Sequence, residues 1–383
     1  MLSCLSKFWV YILVFTVLSF LTTTHLMFNS IFEERHLEPL FTINSSDLTV
    51  VVQVDSNLTS SWNARKSRHP YHRNEVLEPY YVDRNVTKFC PKVPSRLEGK
   101  VQLVKEATPT FQDLVNEFRN SSLQSDGRFQ PANCIPRFLV AIVVPYRGRF
   151  EHLNIFLRNI HPFIQRHQVD YTIFIVEQAG NGPFNRGMLM NVGFVEAMKI
   201  RPFDCFIFHD VDLLPEDDRN IYSCPDQPRH MSVAVDIFRY KLPYRDIFGG
   251  ISALSAEHFQ LVNGYSNTFW GWGGEDDDMS MRIRMKGLHL LRYPPSIARY
   301  TMLPHEKQKA NPNRFEKLYL GRKRFKNEGL NSLEYRRISI RPCKLFTWIF
   351  VELTPPHQEN IFIAIIKNSY LVRVLTDLVS WGE

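Results

Sequence analysis

Between Phe138 and Pro215 the chain alternates apolar strands with helical patterns, and that alternation limits what it can fold into. "FLVAIVVPYR" (Phe138–Arg147) is apolar at successive positions, as a strand buried on both faces must be. "EHLNIFLRNIHPFIQRH" then repeats its apolar residues at helical spacing. A second strand, "YTIFIVEQ" (Tyr171–Gln178), leads to a second helix over Asn185–Ile200. A third strand, "DCFIFHDVDLLP" (Asp204–Pro215), ends in polar residues. Strand, helix, strand in this order implies an α/β domain with a mostly parallel central sheet and helices on its faces. Such sheets bind ligands beyond the carboxyl ends of their strands, where "YRGR" and "HDVD" fall.

The ends of the chain read differently. Residues 1–7 form a short head carrying Lys7, and 8–28 is a mostly apolar segment. Roughly 20 apolar residues span a ~30 Å hydrocarbon layer. A cleaved signal peptide and an uncleaved signal anchor are both open readings. The absence of a small-x-small site and the positive charge on the short side favour an anchor with the rest of the chain lumenal. Residues 29–86 are polar and aperiodic, as a stem would be, and the sequons at Asn44, Asn57, Asn85 and Asn120 lie between the anchor and the first strong strand. The folded body is expected over 87–355. The tail, 356–383, is apolar but broken by Lys367, Arg373 and Asp377, which suits an amphipathic helix rather than a second span. Beyond the head, five cysteines remain. In an oxidising compartment that number fits two disulfides and a free thiol, and the spacing suits no structural zinc site. The net charge of +7 is scattered apart from "GRKRFK" (Gly321–Lys326), and no nucleic-acid-binding motif accompanies it.

Two acidic motifs carry the chemistry. Asp210 and Asp212 follow an apolar strand, and alternation aims both into the cleft at its end. The pair reads either as turn-capping aspartates or as holders of a divalent cation bridging phosphate oxygens. Arg147 and Arg149 at the end of the first strand suit phosphate. The other motif is "FWGWGGEDDDMSMRIRMKG" (Phe269–Gly287), in which four carboxylates follow two tryptophans. A helix beginning at Glu275 would set this run at its N-terminus, where free N–H groups and the helix dipole favour negative charge. The run reads either as a solvated helix start or as a base beside aromatic rings that stack on sugar C–H faces. No P-loop or GxGxxG sequence is present.

"FHDVDLLP", "FGGISALS", "WGWGGEDDD" and "GLNSLEY", in this order, resemble the β-1,4-galactosyltransferase family over roughly Cys90–Pro355. The resemblance implies a type II Golgi membrane enzyme with a GT-A, Rossmann-like fold that uses a UDP-sugar and Mn²⁺. It gives Pro145, Arg147 and Arg149 of "PYRGR" to UDP, with Gly148 in place of the family's frequent asparagine. Phe184 and Arg186 go to the uridine side and Val211 lies against the nucleotide. Asp212, Met302 and His305 are implied as metal ligands, although a thioether is a soft ligand for a hard cation. Gly250 and Trp272 fall in the donor site. Glu275, Asp276 and Asp277 contact the acceptor, with Asp276 as the base. Arg314, Phe315 and Leu318 line a pocket for the acceptor's N-acetyl group. Disulfides Cys90–Cys134 and Cys205–Cys224 are implied, leaving Cys343 free. The segment from Met302 to Lys326 looks like a lid that orders over donor and metal.

One position departs from the family. Many galactose-transferring members have tyrosine before "FGG", where this chain has Ile247. That tyrosine disfavours an N-acetyl group on the donor's C2, whereas isoleucine offers the acetyl methyl an apolar surface. Invertebrate members that transfer N-acetylgalactosamine are similar here. The expectation is therefore β-1,4 transfer of GalNAc from UDP-GalNAc to a terminal GlcNAc of a glycoprotein or glycolipid, with galactose transfer from UDP-Gal as the alternative. A glycan-binding protein without turnover would not need the metal ligands and base, and a glycoside hydrolase leaves the nucleotide arginines unexplained.

Overall fold

The computed structural model describes residues 39–41, 50–53, 88–108, 110–306 and 310–355. The head, the apolar segment 8–28, the tail 356–383 and the sequons Asn44, Asn57 and Asn85 lie outside them. All described residues belong to one compact unit. No helix among them is long and apolar enough to cross a membrane.

The strands are β1 (Val50–Gln53), β2 (Leu139–Tyr146), β3 (Asp170–Gln178), β4 (Cys205–His209), β5 (Leu213–Pro215), β6 (Arg229–His230), β7 (Ala234–Val235), β8 (Ile251–Ser255), β9 (Arg299–Met302), β10 (Glu334–Pro342) and β11 (Thr347–Glu352). The helices are α1 (Phe111–Glu117), α2 (Phe150–Gln165), α3 (Arg186–Ile200), α4 (Ala256–Leu261), α5 (Glu275–Met285) and α6 (Arg314–Arg324). Eight strands form the main sheet in the order β1-β10-β11-β3-β2-β4-β8-β6. Its centre is parallel: β11 with β3, β3 with β2, and β2 with β4. Its flanks are antiparallel, β1 with β10 and β10 with β11 on one side, β4 with β8 and β8 with β6 on the other. The expected mostly parallel sheet is thus a mixed one. The central strands are joined by the crossover helices α2 and α3, but only Cys343–Phe346 separates β10 from β11, and so short a link permits only antiparallel return.

The centre shows why its strands are apolar throughout. Val140, Ile142 and Val144 of β2 pack into one core with Leu153, Phe156 and Ile160 of α2. Ala141 and Val143 pack into a second core with Leu189, Val192 and Phe194 of α3, on the opposite face. Gly193 lets α3 approach this closely, because a β-carbon there would stand 2.3 Å from Val143 Cγ1. Asn185 starts α3 by accepting the Met188 N–H at 2.9 Å, so the helix begins one residue inside its expected range.

Two pieces of the expected stem lie on this body. Val50–Gln53 forms the edge strand beside β10. The Leu40 N–H donates to the buried Glu177 carboxylate at 3.0 Å, and the Phe41 ring meets Trp348 edge-on at 5.1 Å. Burial pushes the Glu177 carboxyl up to about 7. Cys90–Cys134 and Cys205–Cys224 are both disulfides, and Cys343 is a free thiol pushed up to about 11 by burial. Asn120 is exposed in the turns after α1.

Candidate active site

The carboxyl end of β2 supplies the first group of residues. Beyond Pro145, Arg147 Nη1 donates to the carbonyls of Gly180 and Gly182 at 3.0 and 2.7 Å, and its guanidinium lies 5.3 Å from the centre of the Phe184 ring. Arg147 and Phe184 therefore meet. Arg149 caps α2 and points elsewhere: its Nη1 donates to Asp212 Oδ2 at 2.9 Å.

The stretch expected as one strand, Asp204–Pro215, is two strands in different sheets. β4 ends at His209, and β5 pairs with β9 in a separate three-stranded sheet with β7. Between them Val211 and Asp212 form a turn, so strand alternation does not apply and the two aspartates do not share one partner set. Asp210 Oδ1 accepts from Arg186 Nε at 2.7 Å, while Asp212 faces Arg149 and His305. Val211 is buried between them.

The β5–β9 pairing gathers the implied metal ligands. Met302 lies opposite Leu213, Leu303 N–H donates to the Asp212 carbonyl at 2.7 Å, and His305 Nε2 comes within 3.3 Å of Asp212 Oδ2. His305 Nδ1 lies 2.9 Å from the Glu306 carbonyl, which can only accept, so the proton of a neutral ring sits on Nδ1. The Nε2 lone pair then faces a carboxylate oxygen, an arrangement that a cation between them would relieve. Ring orientation by a backbone carbonyl is also how metal-bound histidines are held. Two ligand atoms each about 2.1 Å from one ion at right angles stand about 3 Å apart, close to the spacing found here. Among the described residues no group of three or more His, Cys, Asp or Glu side chains is arranged for a metal ion. An ion at this point would rest on Asp212 and His305 with the Met302 thioether. The donor set fits, with one soft member.

The acidic run begins α5, capped by Gly274 at φ 100°, a conformation that only glycine adopts freely. Its four carboxylates have four different surroundings. Glu275 is buried, 3.4 Å from Arg186 Nη1. Asp277 Oδ1 accepts from the Tyr244 hydroxyl at 2.9 Å. Asp278 is fully buried and tied to Arg282 at 2.6 Å, and Arg282 also reaches Glu328 at 2.8 Å. That clamp belongs to the fold rather than to the cleft. Asp276 lies against Gly249, where a β-carbon would come 2.6 Å from its Oδ2. Burial, with Glu275 and Asp277 adding repulsion, pushes the Asp276 carboxyl up to about 7, a value suited to a base in neutral surroundings.

Arg186 joins the two halves. Its guanidinium binds Asp210, Glu275 and the Gly250 carbonyl, the last at 3.1 Å, so the β4–β5 turn and the start of α5 belong to one cleft. Its nearest partners are these acids rather than Phe184. Trp272 is 57% exposed at the rim, and its carbonyl accepts the Asn311 N–H at 3.0 Å. On α6, the Arg314 guanidinium lies 4.3 Å from the centre of the Phe315 ring, Phe315 is 66% exposed and Leu318 is half-buried. Residues 307–309 of the expected lid lie outside the described ones.

Tyr244, His230 and Arg292 stand in none of the motifs read from the sequence. Ile247 is half-buried on the loop carrying Tyr244 and Gly249, with its carbonyl held by Arg292 at 2.8 Å. A hydroxyl three residues before the substituted position was the available signal for Tyr244. The others act across distances no local pattern reports.

Residues 90–225 match the family described as the N-terminal region of glycosyl transferase group 7, and residues 229–306 match the one described as the N-terminal domain of galactosyltransferase. Beta-1,4-galactosyltransferase 3 of Mus musculus is 43% identical over 269 residues, which are 69% of this chain and 68% of the relative. Beta-1,4-galactosyltransferase 1 of Mus musculus is 44% identical over 270 residues, 70% of this chain and 67% of the relative. The catalytic domain of Drosophila beta-1,4-galactosyltransferase 7, solved with xylobiose, matches with a TM-score of 0.50 and 30% identity over 58% of this chain and 98% of that one. A mutant of that enzyme, solved with manganese, UDP-Gal and xylobiose, matches at 29% identity with the same TM-score of 0.50.

Proposed function

The chain belongs to the β-1,4-galactosyltransferase family, and on that premise we propose that it is an inverting, Mn²⁺-dependent hexosyltransferase acting from a UDP-sugar on a GlcNAc-terminated glycan. The carrying observation is Arg186. It ties a phosphate-side acid turn to a carboxylate helix through Asp210 and Glu275, and beside them burial and the neighbouring acids hold the Asp276 carboxyl near neutrality. In one displacement, the acceptor O4 attacks C1 of the donor sugar, the C1–O bond to the diphosphate breaks with its electron pair leaving on UDP, and the O4 proton passes to Asp276. A bound cation supplies charge neutralisation for the departing diphosphate. Arg147 and Arg149 suit the same negative charge. Trp272, exposed beside the carboxylates, offers a stacking face to a sugar.

UDP-Gal is the better-supported donor, because the relatives are named galactosyltransferases and the fly enzyme was solved with UDP-Gal. A second reading, UDP-GalNAc, is favoured by Ile247, an apolar residue on the loop that touches Asp276. Purified full-length chain in detergent, with Mn²⁺ and a GlcNAc-terminated acceptor, should transfer from one or both nucleotides. Transfer from neither would sink the transferase reading, and the ratio chooses between the donors.

The seat proposed for this enzyme is the Golgi membrane, with 8–28 as a type II anchor, a stem and a lumenal body. The two disulfides and the exposed sequon at Asn120 support a lumenal body. Sensitivity of the body to protease in sealed vesicles would argue against it.

A further inference from the structure

Arg292 follows α5 by one loop and contributes no group to the chemistry proposed above, yet it holds three points of the cleft wall. Its Nη2 donates to the carbonyls of Arg245 and Ile247 at 2.9 and 2.8 Å, and its Nε donates to His230 Nδ1 at 3.1 Å. A guanidinium N–H can only donate, so His230 Nδ1 must accept, and the ring proton is fixed on Nε2. That proton points at the Gly249 carbonyl, 3.0 Å away, which Ser232 Oγ also meets at 2.9 Å. His230 is buried, so its tautomer is not averaged by solvent.

The loop so held touches the acidic helix at Asp276 and Asp277, and it also meets Arg186 of α3. Tyr244 reaches Asp277, Gly249 abuts Asp276, and the Gly250 carbonyl accepts from Arg186. Arg284 adds an ion pair to Asp246 of the same loop, but both partners are exposed and contribute little. Arg292 and His230 supply the interior attachment.

We propose that Arg292 and His230 are positioning residues for donor selection: they seat the 244–250 loop against α5 and so set the room that Ile247 leaves beside the donor's C2 substituent. The inference rests on the assignment of Ile247 and Asp276 above. A purely structural pair would affect both donors alike. A pair that sets the pocket wall changes their ratio, because the two sugars differ only at C2.

The test compares wild type, Arg292→Ala, Arg292→Lys and His230→Gln for UDP-Gal and UDP-GalNAc, in turnover and in calorimetric binding with Mn²⁺. Arg292→Ala should lower kcat on the order of tenfold and shift the ratio of kcat/KM between donors by about fivefold or more. Arg292→Lys keeps the cation and one donor direction, folds more readily, and should shift the ratio part of the way. His230→Gln retains a donor toward Gly249 and should stay nearer to wild type than Arg292→Ala. Equal losses on both donors, or an unchanged ratio in both Arg292 variants, overturns the proposal. If wild type turns over neither donor, the transferase reading fails, while the binding ratio still decides this one.

Discussion

Asp276 Oδ2 is packed so closely on Gly249 that a β-carbon at 249 would stand 2.6 Å from it. The contact joins the two motifs that the sequence keeps apart, "FGG" and "GGEDDD", and it gives the proposed base a wall of backbone. Neighbouring acids are each occupied: Glu275 by Arg186, Asp277 by Tyr244 and Asp278 by Arg282. The run of four carboxylates is thus one proposed base and three acids that build its surroundings.

Gly249→Ala tests the contact. The φ of Gly249 lies outside the left-handed region, so alanine strains no backbone there, but it forces the Asp276 carboxylate to move. A displacement near 1 Å at a reacting group costs about 10²-fold. The expected result is a fall in kcat of that order, with UDP–Mn²⁺ binding measured by calorimetry within about twofold of wild type. Unchanged kcat would mean that the carboxylate works from another position.

The Asp276 carboxyl, pushed up to about 7 by burial and its acidic neighbours, predicts a pH profile. As the base must be ionised, kcat/KM should rise with pH and level off above about 7. Stability runs the opposite way. The folded pKa lies above the usual 3.8, so the contribution is full below 3.8 and is lost as pH rises through about 7. Asp276→Asn, neutral at every pH, should abolish transfer and melt several degrees above wild type at pH 8, and by a smaller margin at pH 5. Equal melting differences at both values would remove the cause assigned to the shift.

The donor is decided by Ile247→Tyr. If isoleucine leaves room for an acetyl group, the phenol should lower kcat/KM for UDP-GalNAc by about tenfold or more and spare UDP-Gal, since one methyl-sized contact alone is worth about 10–200-fold. An enzyme that already prefers UDP-Gal and does not change on substitution would leave galactose transfer as the function and Ile247 without a selective role.

How much of this was legible depended on distance along the chain. β2, α2, β3 and α3 could be read because their apolar runs and helical spacing are local, and α5 because its acidic run marks its own start. Pairing partners cannot be read locally. The hairpin β10–β11 turned an expected parallel sheet into a mixed one, and the pairing of β5 with β9 broke an expected long strand at Asp210. The position of Arg186 between Asp210 and Glu275 spans 24 and 89 residues, and no motif encodes it.

The cation site gives the last prediction. Asp212 and His305 approach to 3.3 Å, which admits two explanations: an imidazolium paired with a carboxylate, or two ligands awaiting one ion. Arg149 already pairs with Asp212 at 2.9 Å, so that carboxylate has a positively charged partner without His305. The ring, oriented through Nδ1 by the Glu306 carbonyl, presents Nε2 to an ion. His305→Ala should therefore weaken Mn²⁺ binding in the presence of UDP by about 100-fold, read from free Mn²⁺ by electron paramagnetic resonance, and Asp212→Asn should weaken it at least as much. Nucleotide binding without metal should change little in His305→Ala, because Arg147 and Arg149 remain. If Mn²⁺ affinity survives the loss of His305, the pair is an ordinary ion pair and the metal must rest elsewhere.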